Sequence, residues 1–130
     1  MNEESSRAVA RGRVEMMMKA GQFEVREDLE DAMAIVTASG EIDLSNAPAL
    51  QSHLSDAIGH RSKVVVDLSA VTFIDSTGLG VLIGALSRSD DAGGTLRIVV
   101  DDARVLKVFE ITGLTETFSI HPTLAEATSS

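Results

Sequence analysis

The 130-residue sequence contains no cysteine. Neither a disulfide framework nor a thiolate metal site can be built from it, which suits a reducing compartment. Long apolar runs are also missing; none approaches the 18 or so residues that a membrane-spanning helix needs. The start, Met1-Asn2-Glu3-Glu4, carries no apolar stretch of the kind found in a secretory leader. A cytoplasmic location away from membranes is the expectation. Positive charge is scarce: 11 Lys and Arg face 20 Asp and Glu, for a net charge of −9. That balance argues against direct binding to nucleic acid or anionic membranes. No repeat or low-complexity segment is present, and the length suits one domain with one core.

The charge that is there is spread unevenly. Residues 1–21 hold Arg7, Arg11, Arg13 and Lys19 against Glu3, Glu4 and Glu15, a balance of +1 that leaves −10 for the rest. This first stretch has no clear period and reads as a mobile tail, with a helical turn around Val14–Met18. The run Met16-Met17-Met18 would allow translation to begin there.

From Gln22 onward the chain alternates between strand and helix patterns. Gln22–Arg26 places Phe23 and Val25 on one side, and Glu27–Asp31 reads as a polar turn into a strand over Met33–Ser39. Ser45 or Asn46 then caps a helix with Pro48 in its first turn, an apolar stripe at Leu50, Leu54, Ala57 and Ile58, and Gly59 as its stop. Lys63–Leu68 is nearly all apolar and predicts a central strand buried on both faces. A helix follows Asp75 to about Ser89, then a strand over Thr95–Val100, a helix over Ala103–Ile111, a brief edge strand over Thr117–Ile120 and a last short helix over Thr123–Ala127. Such alternation predicts an α/β layer fold. The expected organisation is a tail at 1–21, one domain at 22–127, and a frayed end at 128–130.

The stretch Phe73-Ile74-Asp75-Ser76-Thr77-Gly78-Leu79-Gly80 is the hinge from the buried strand into a helix. Asp75 is a good N-cap, since its carboxylate can accept the free amide hydrogens of the first turn. Ser76 and Thr77 then sit where the helix carries roughly half a positive charge, a natural seat for an anion or a phosphate. Leu79, Leu82, Ile83 and Leu86 form one apolar stripe at about 100° per residue. The opposite face would carry Thr77, Gly80, Val81, Gly84, Ala85 and Arg88. Two glycines in a helix interior cost about 1 kcal/mol each against alanine. Either the backbone packs closely on its own sheet, or a partner lies flat on this face. The position of the glycines, away from the leucines, favours the partner.

Simpler roles compete for the same residues. Ser76 and Thr77 suit plain helix capping, Gly80 and Gly84 suit helix–sheet packing, Asp43 suits an ordinary turn, and Asp67 suits bonding to local amides. Gly78, Gly80 and Gly84 with Asp101 imitate a dinucleotide fingerprint, but the last gap is one residue too long and the motif does not follow the first strand. A serine nucleophile elbow would need glycine where Ile74 stands. His53, His60 and His121 are scattered, and Asp90-Asp91 lies a strand's length, about 20 Å, from Asp101-Asp102, so no metal cluster is expected.

The motifs together resemble the STAS domain family, and within it the stand-alone bacterial anti-sigma factor antagonists. The residues that carry the resemblance are Gly40-Glu41-Ile42-Asp43, Val65-Val66-Asp67-Leu68, Phe73 through Leu82, Gly93-Gly94, and Val108 through Leu114, over about residues 22–127. The resemblance implies a mixed sheet of about five strands with about four helices mainly on one face. It implies a non-enzymatic protein without cofactor or metal. Its partner would be an anti-sigma factor that is also a serine kinase. Phosphorylation would fall on Ser76, with Thr77 as second choice, and a serine phosphatase would reverse it. The partner-binding residues would be Asp43, Asp75, Ser76, Thr77, Gly78, Gly80, Val81, Gly84 and Arg88, in a protein that is a monomer when free. The resemblance also puts Asp67 near the site. The alternative in another class is a nucleotide- or small-ligand-binding STAS module in a signalling or transport assembly; a third is a structural subunit of a stress-sensing complex.

Overall fold

The computed structural model describes residues 22–129. The tail expected over 1–21, its turn at Val14–Met18, and Ser130 lie outside the described residues. The elements are β1 (Glu24–Leu29), β2 (Met33–Ile42), α1 (Ala47–His60), β3 (Lys63–Ile74), α2 (Ser76–Asp91), β4 (Thr95–Val99), α3 (Ala103–Ile111), β5 (Ser119–His121) and α4 (Leu124–Thr128). The strands form one mixed sheet in the order β1-β2-β3-β4-β5. β1 runs antiparallel to β2, and every later pairing is parallel.

Period-2 alternation divides the sheet into two faces. Ala34, Val36 and Ala38 of β2, Val64, Val66 and Leu68 of β3, and Leu96 and Ile98 of β4 meet Leu50 and Leu54 of α1, Leu79, Leu82 and Ala85 of α2, and Val105 and Phe109 of α3 in the main core. The intervening Ile35, Val65 and Val99 form a smaller cluster with Ala127 of α4. Three helices therefore cover one face, and the short last helix covers part of the other. Lys63–Leu68 is buried on both faces, as its apolar run predicts, apart from Lys63 itself at the exposed start.

Three strands are longer than local pattern suggests; β2 runs on from Ser39 to Ile42. β1 continues through Glu27 and Asp28 to Leu29, where a polar turn was expected, because these residues pair in register with Val36, Ile35 and Ala34. β3 continues past Leu68 to Ile74, because Ala70, Val71, Phe73 and Ile74 pair with Ser39, Gly40, Glu41 and Ile42 across register shifts. Gly40 takes φ +89° at that irregularity, a conformation that glycine adopts without a Cβ penalty. The extension brings the ends of β2 and β3 to the same edge, beside the N-terminus of α2.

Candidate functional site

The site is built where β3 becomes α2. Asp75 is extended, at φ −99° and ψ −177°, and its carboxylate accepts the Gly78 N–H at 3.0 Å. The Asp75 N–H donates to the Ile42 carbonyl at 3.1 Å, which ties the hinge to the end of β2. Asp75 is thus the N-cap that its residue type implies. Ser76 is the first residue of α2 and is exposed; Thr77 follows and is half-buried. Neither hydroxyl has a hydrogen-bond partner among the described residues. Capping is done by Asp75 alone, so Ser76 is not held to that role.

The three glycines have different reasons. Gly78 is buried, and a Cβ there would stand 2.7 Å from Ile42 Cγ2 and 2.8 Å from Ile74 Cγ1. It is the packing glycine, seated against the molecule's own β2 and β3. A Cβ at Gly80 would meet nothing within 4 Å, and one at Gly84 would meet only Arg88 Nη1, at 3.4 Å. The fold does not demand glycine at 80 or 84.

The α2 wheel is turned relative to the leucine stripe expected from sequence. The buried line is Gly78, Leu82, Ala85 and Ser89, with Leu79 beside it. Ala85 is fully buried rather than outward, and Ile83 is 43 % exposed rather than inward. The bare backbone at Gly78 lets α2 approach the sheet along a line of small residues, which rotates the helix about its axis. The outermost line is therefore Ser76, Gly80, Ile83 and Ser87, all exposed. Thr77, Val81, Gly84 and Arg88, expected on the free face, form its half-buried flank. Ser76, and not Thr77, is the more outward hydroxyl.

The loop between β2 and α1 borders the same edge. The Asp43 carboxylate accepts from the Ser45 N–H at 3.0 Å and the Ser45 hydroxyl at 2.6 Å. Asn46 accepts the Asp43 N–H at 2.9 Å and donates to the Glu41 carbonyl at 2.8 Å. Asp43 thus organises a turn, and Asn46 braces it. Sequence reading named Asn46 only as a possible helix cap; its side chain spans the loop instead. Leu44 and Phe73, 72 % and 48 % exposed, stand on this loop and on the end of β3. A cavity of about 270 Å³ lies beside Phe73, lined by Glu41, Thr72, Ile74, Arg104, Val105 and Val108. Hydrogen bonding by Arg104 holds the Asp102 carboxyl down at about 2.

Other candidates fall away from this edge. Asp67 accepts the Ser69 N–H at 3.0 Å, in line with local amide bonding. It shares a sheet face with Val65, opposite α2, and precedes Ile74 by five residues of the paired strand β2, roughly 16 Å along the sheet. His53 contacts Glu27 at 2.8 Å, His60 contacts the Asp56 carbonyl, and His121 contacts Ser119. Among the described residues no group of three metal-ligating side chains converges, and no helix is long and apolar enough to cross a membrane.

Comparison with known proteins gives a consistent result. The STAS domain family matches residues 22–127. An anti-sigma-B factor antagonist of Listeria monocytogenes is 35 % identical over 99 residues, covering 75 % of this chain and 86 % of that protein. The anti-sigma-B factor antagonist of Bacillus subtilis is 34 % identical over 85 residues, covering 65 % of this chain and 78 % of that protein. The crystal structure of an anti-sigma factor antagonist from Mycobacterium paratuberculosis superposes with a TM-score of 0.77 at 29 % identity, covering 85 % of this chain and 95 % of that one.

Proposed function

The chain belongs to the STAS domain family, and on that premise we propose that it is an anti-sigma factor antagonist controlled by phosphorylation. Unphosphorylated, it binds an anti-sigma factor that is also a serine kinase, and so frees the sigma factor. Phosphorylation at Ser76 ends the binding, and a serine phosphatase restores it. The protein is a binding module, monomeric when free, working in the cytoplasm of a bacterium.

One observation carries this reading. Ser76 stands exposed, its hydroxyl without a partner among the described residues, at the head of an outward helix line that bears no charge and includes a glycine the fold does not need. A phosphoryl group there adds about −1.5 to −2 charges and three strong acceptors. The N-terminus of α2 favours that charge, so the fold is kept. A partner lying on the line would have to desolvate the charge against an uncharged surface, so the complex is lost. The docking surface we assign comprises Ser76, Thr77, Gly80, Val81, Gly84 and Arg88. Asp43 and Asp75 shape its rim, and Gly78 acts from beneath by seating the helix. Thr77 is the second choice for modification because it is half-buried.

The test is phosphate mapping after incubation with the host's anti-sigma kinases and ATP. Label on Ser76, lost in Ser76→Ala and kept in Thr77→Ala, is the expected outcome. Ser76→Ala should hold the kinase, and Ser76→Asp should bind it at least tenfold more weakly. If both variants bind as wild type does, the switch is assigned to the wrong place.

A further inference from the structure

From Ser76 to Ser89, the only charged residue of α2 is Arg88. Its Nε and Nη2 are buried and have no hydrogen-bond acceptor among the described residues. Its Nη1 lies over Gly84, 3.4 Å from where a Cβ would stand. Asp90 and Asp91 follow in the same helix, yet neither forms an ion pair with it among the described residues. Enclosing two guanidinium nitrogens of a half-buried arginine without acceptors is unfavourable, since those groups have given up water and gained nothing in return. The free protein therefore holds a cation whose hydrogen-bonding capacity is unmet at two of its three nitrogens.

We propose that Arg88 receives an aspartate or glutamate side chain of the docked partner. This rests on the reading of α2 as the docking face and adds the chemistry of what docks there. The rest of the surface is acidic, with −10 outside residues 1–21. A carboxylate on a guest is repelled by that surface and attracted at one point on this helix. A single attractive point on an otherwise neutral strip sets the guest's register along it. The guanidinium turns outward about its flexible stem and offers a planar pair of N–H groups that match a carboxylate. Arg88 lies twelve residues from Ser76, about 18 Å along the helix. It is too distant to bind a phosphate on Ser76. The modifiable hydroxyl heads the outward line of α2, and the cation ends the half-buried flank beside it.

The test uses the full chain and the purified anti-sigma kinase that phosphorylates Ser76 in vitro, with binding measured by calorimetry at low and moderate salt. Arg88→Met should lose about 10- to 100-fold in affinity and most of the salt dependence. Arg88→Lys should recover only part, because an ammonium cannot make the paired contact. The melting temperature of Arg88→Met should equal or exceed that of wild type, since two enclosed nitrogens without acceptors are removed. Neutralising the kinase's interface carboxylates one at a time should reveal one whose loss is not additive with Arg88→Met. Wild-type binding by Arg88→Met, with Ser76→Asp still impaired, overturns the assignment of Arg88 and leaves the phospho-switch standing. Wild-type binding by both variants removes the switch reading itself. A melting temperature that falls in parallel with affinity, in both Met and Lys variants and at every salt, makes Arg88 a structural residue and also overturns the proposal.

Discussion

Gly78→Ala and Gly80→Ala make the same chemical change two residues apart on one helix, and the structure separates them. The new methyl at 78 would stand 2.7 Å from Ile42 Cγ2 and 2.8 Å from Ile74 Cγ1, well inside van der Waals contact. Both neighbours are buried, Ile42 fully and Ile74 at 3 % exposure, so neither can move aside freely. Overpacking of this kind costs about 1–3 kcal/mol. At 80 the methyl meets nothing within 4 Å. Each change also gains about 1 kcal/mol of helix propensity. That gain is common to both, so the difference in stability between the variants isolates the clash. Gly80→Ala should be about 1 kcal/mol more stable than wild type, and Gly78→Ala about 1–3 kcal/mol less stable than Gly80→Ala. Urea denaturation reads this as a shift in midpoint at unchanged m-value. Gly80→Ala should nonetheless bind the anti-sigma kinase more weakly, because the methyl stands between the helix backbone and its guest. Equal midpoints for the two variants would refute the close approach at Gly78. A stabilised Gly80→Ala that binds undiminished would refute the bare-backbone docking argument.

Other expectations can be checked separately. Ser76→Asp should change stability by less than about 1 kcal/mol, since a negative charge in the first turn is favourable there; a larger loss in urea denaturation would mean that Ser76 is structural. Burial raises the Glu27 carboxyl, with bonding to His53 opposing and Asp56 adding to the rise. A group raised on folding contributes stability that is complete below its unfolded value near 4.5 and lost as pH rises through the folded value. The stability difference between wild type and Glu27→Gln should therefore shift against wild type as pH rises from 4 to 7; a difference that stays flat contradicts the burial argument. Asp102, held at about 2 chiefly by hydrogen bonding from Arg104, shows the opposite sign: its contribution is complete above 3.8 and lost as pH falls through about 2. Carboxyl-carbon NMR should follow Asp102 titrating upward in Arg104→Gln; an unchanged midpoint would show that the pair is not formed in solution.

Local pattern was sufficient wherever one residue type answers to one period. The alternating strands, the Asp75 cap, the central apolar strand and the α/β class all follow from side-chain spacing. Near-neighbour physics sets them: which face is apolar, and which side chain can reach a free amide. The hinge at residues 73–80 was legible for the same reason, because a strand pattern and a helix pattern abut there.

Long-range pairing decided the rest. Glu27 and Asp28 look like a turn until Val36 and Ile35 lie opposite them. Ser69 through Thr72 look like a loop until β2 offers its last residues as partners. The rotation of α2 follows from the approach of Gly78 to two isoleucines, one of them 36 positions earlier in the chain, and that rotation is what turns Ser76 and Ile83 outward. A residue's neighbours in sequence define its element, but the direction in which its side chain points depends on what the folded sheet places beneath it.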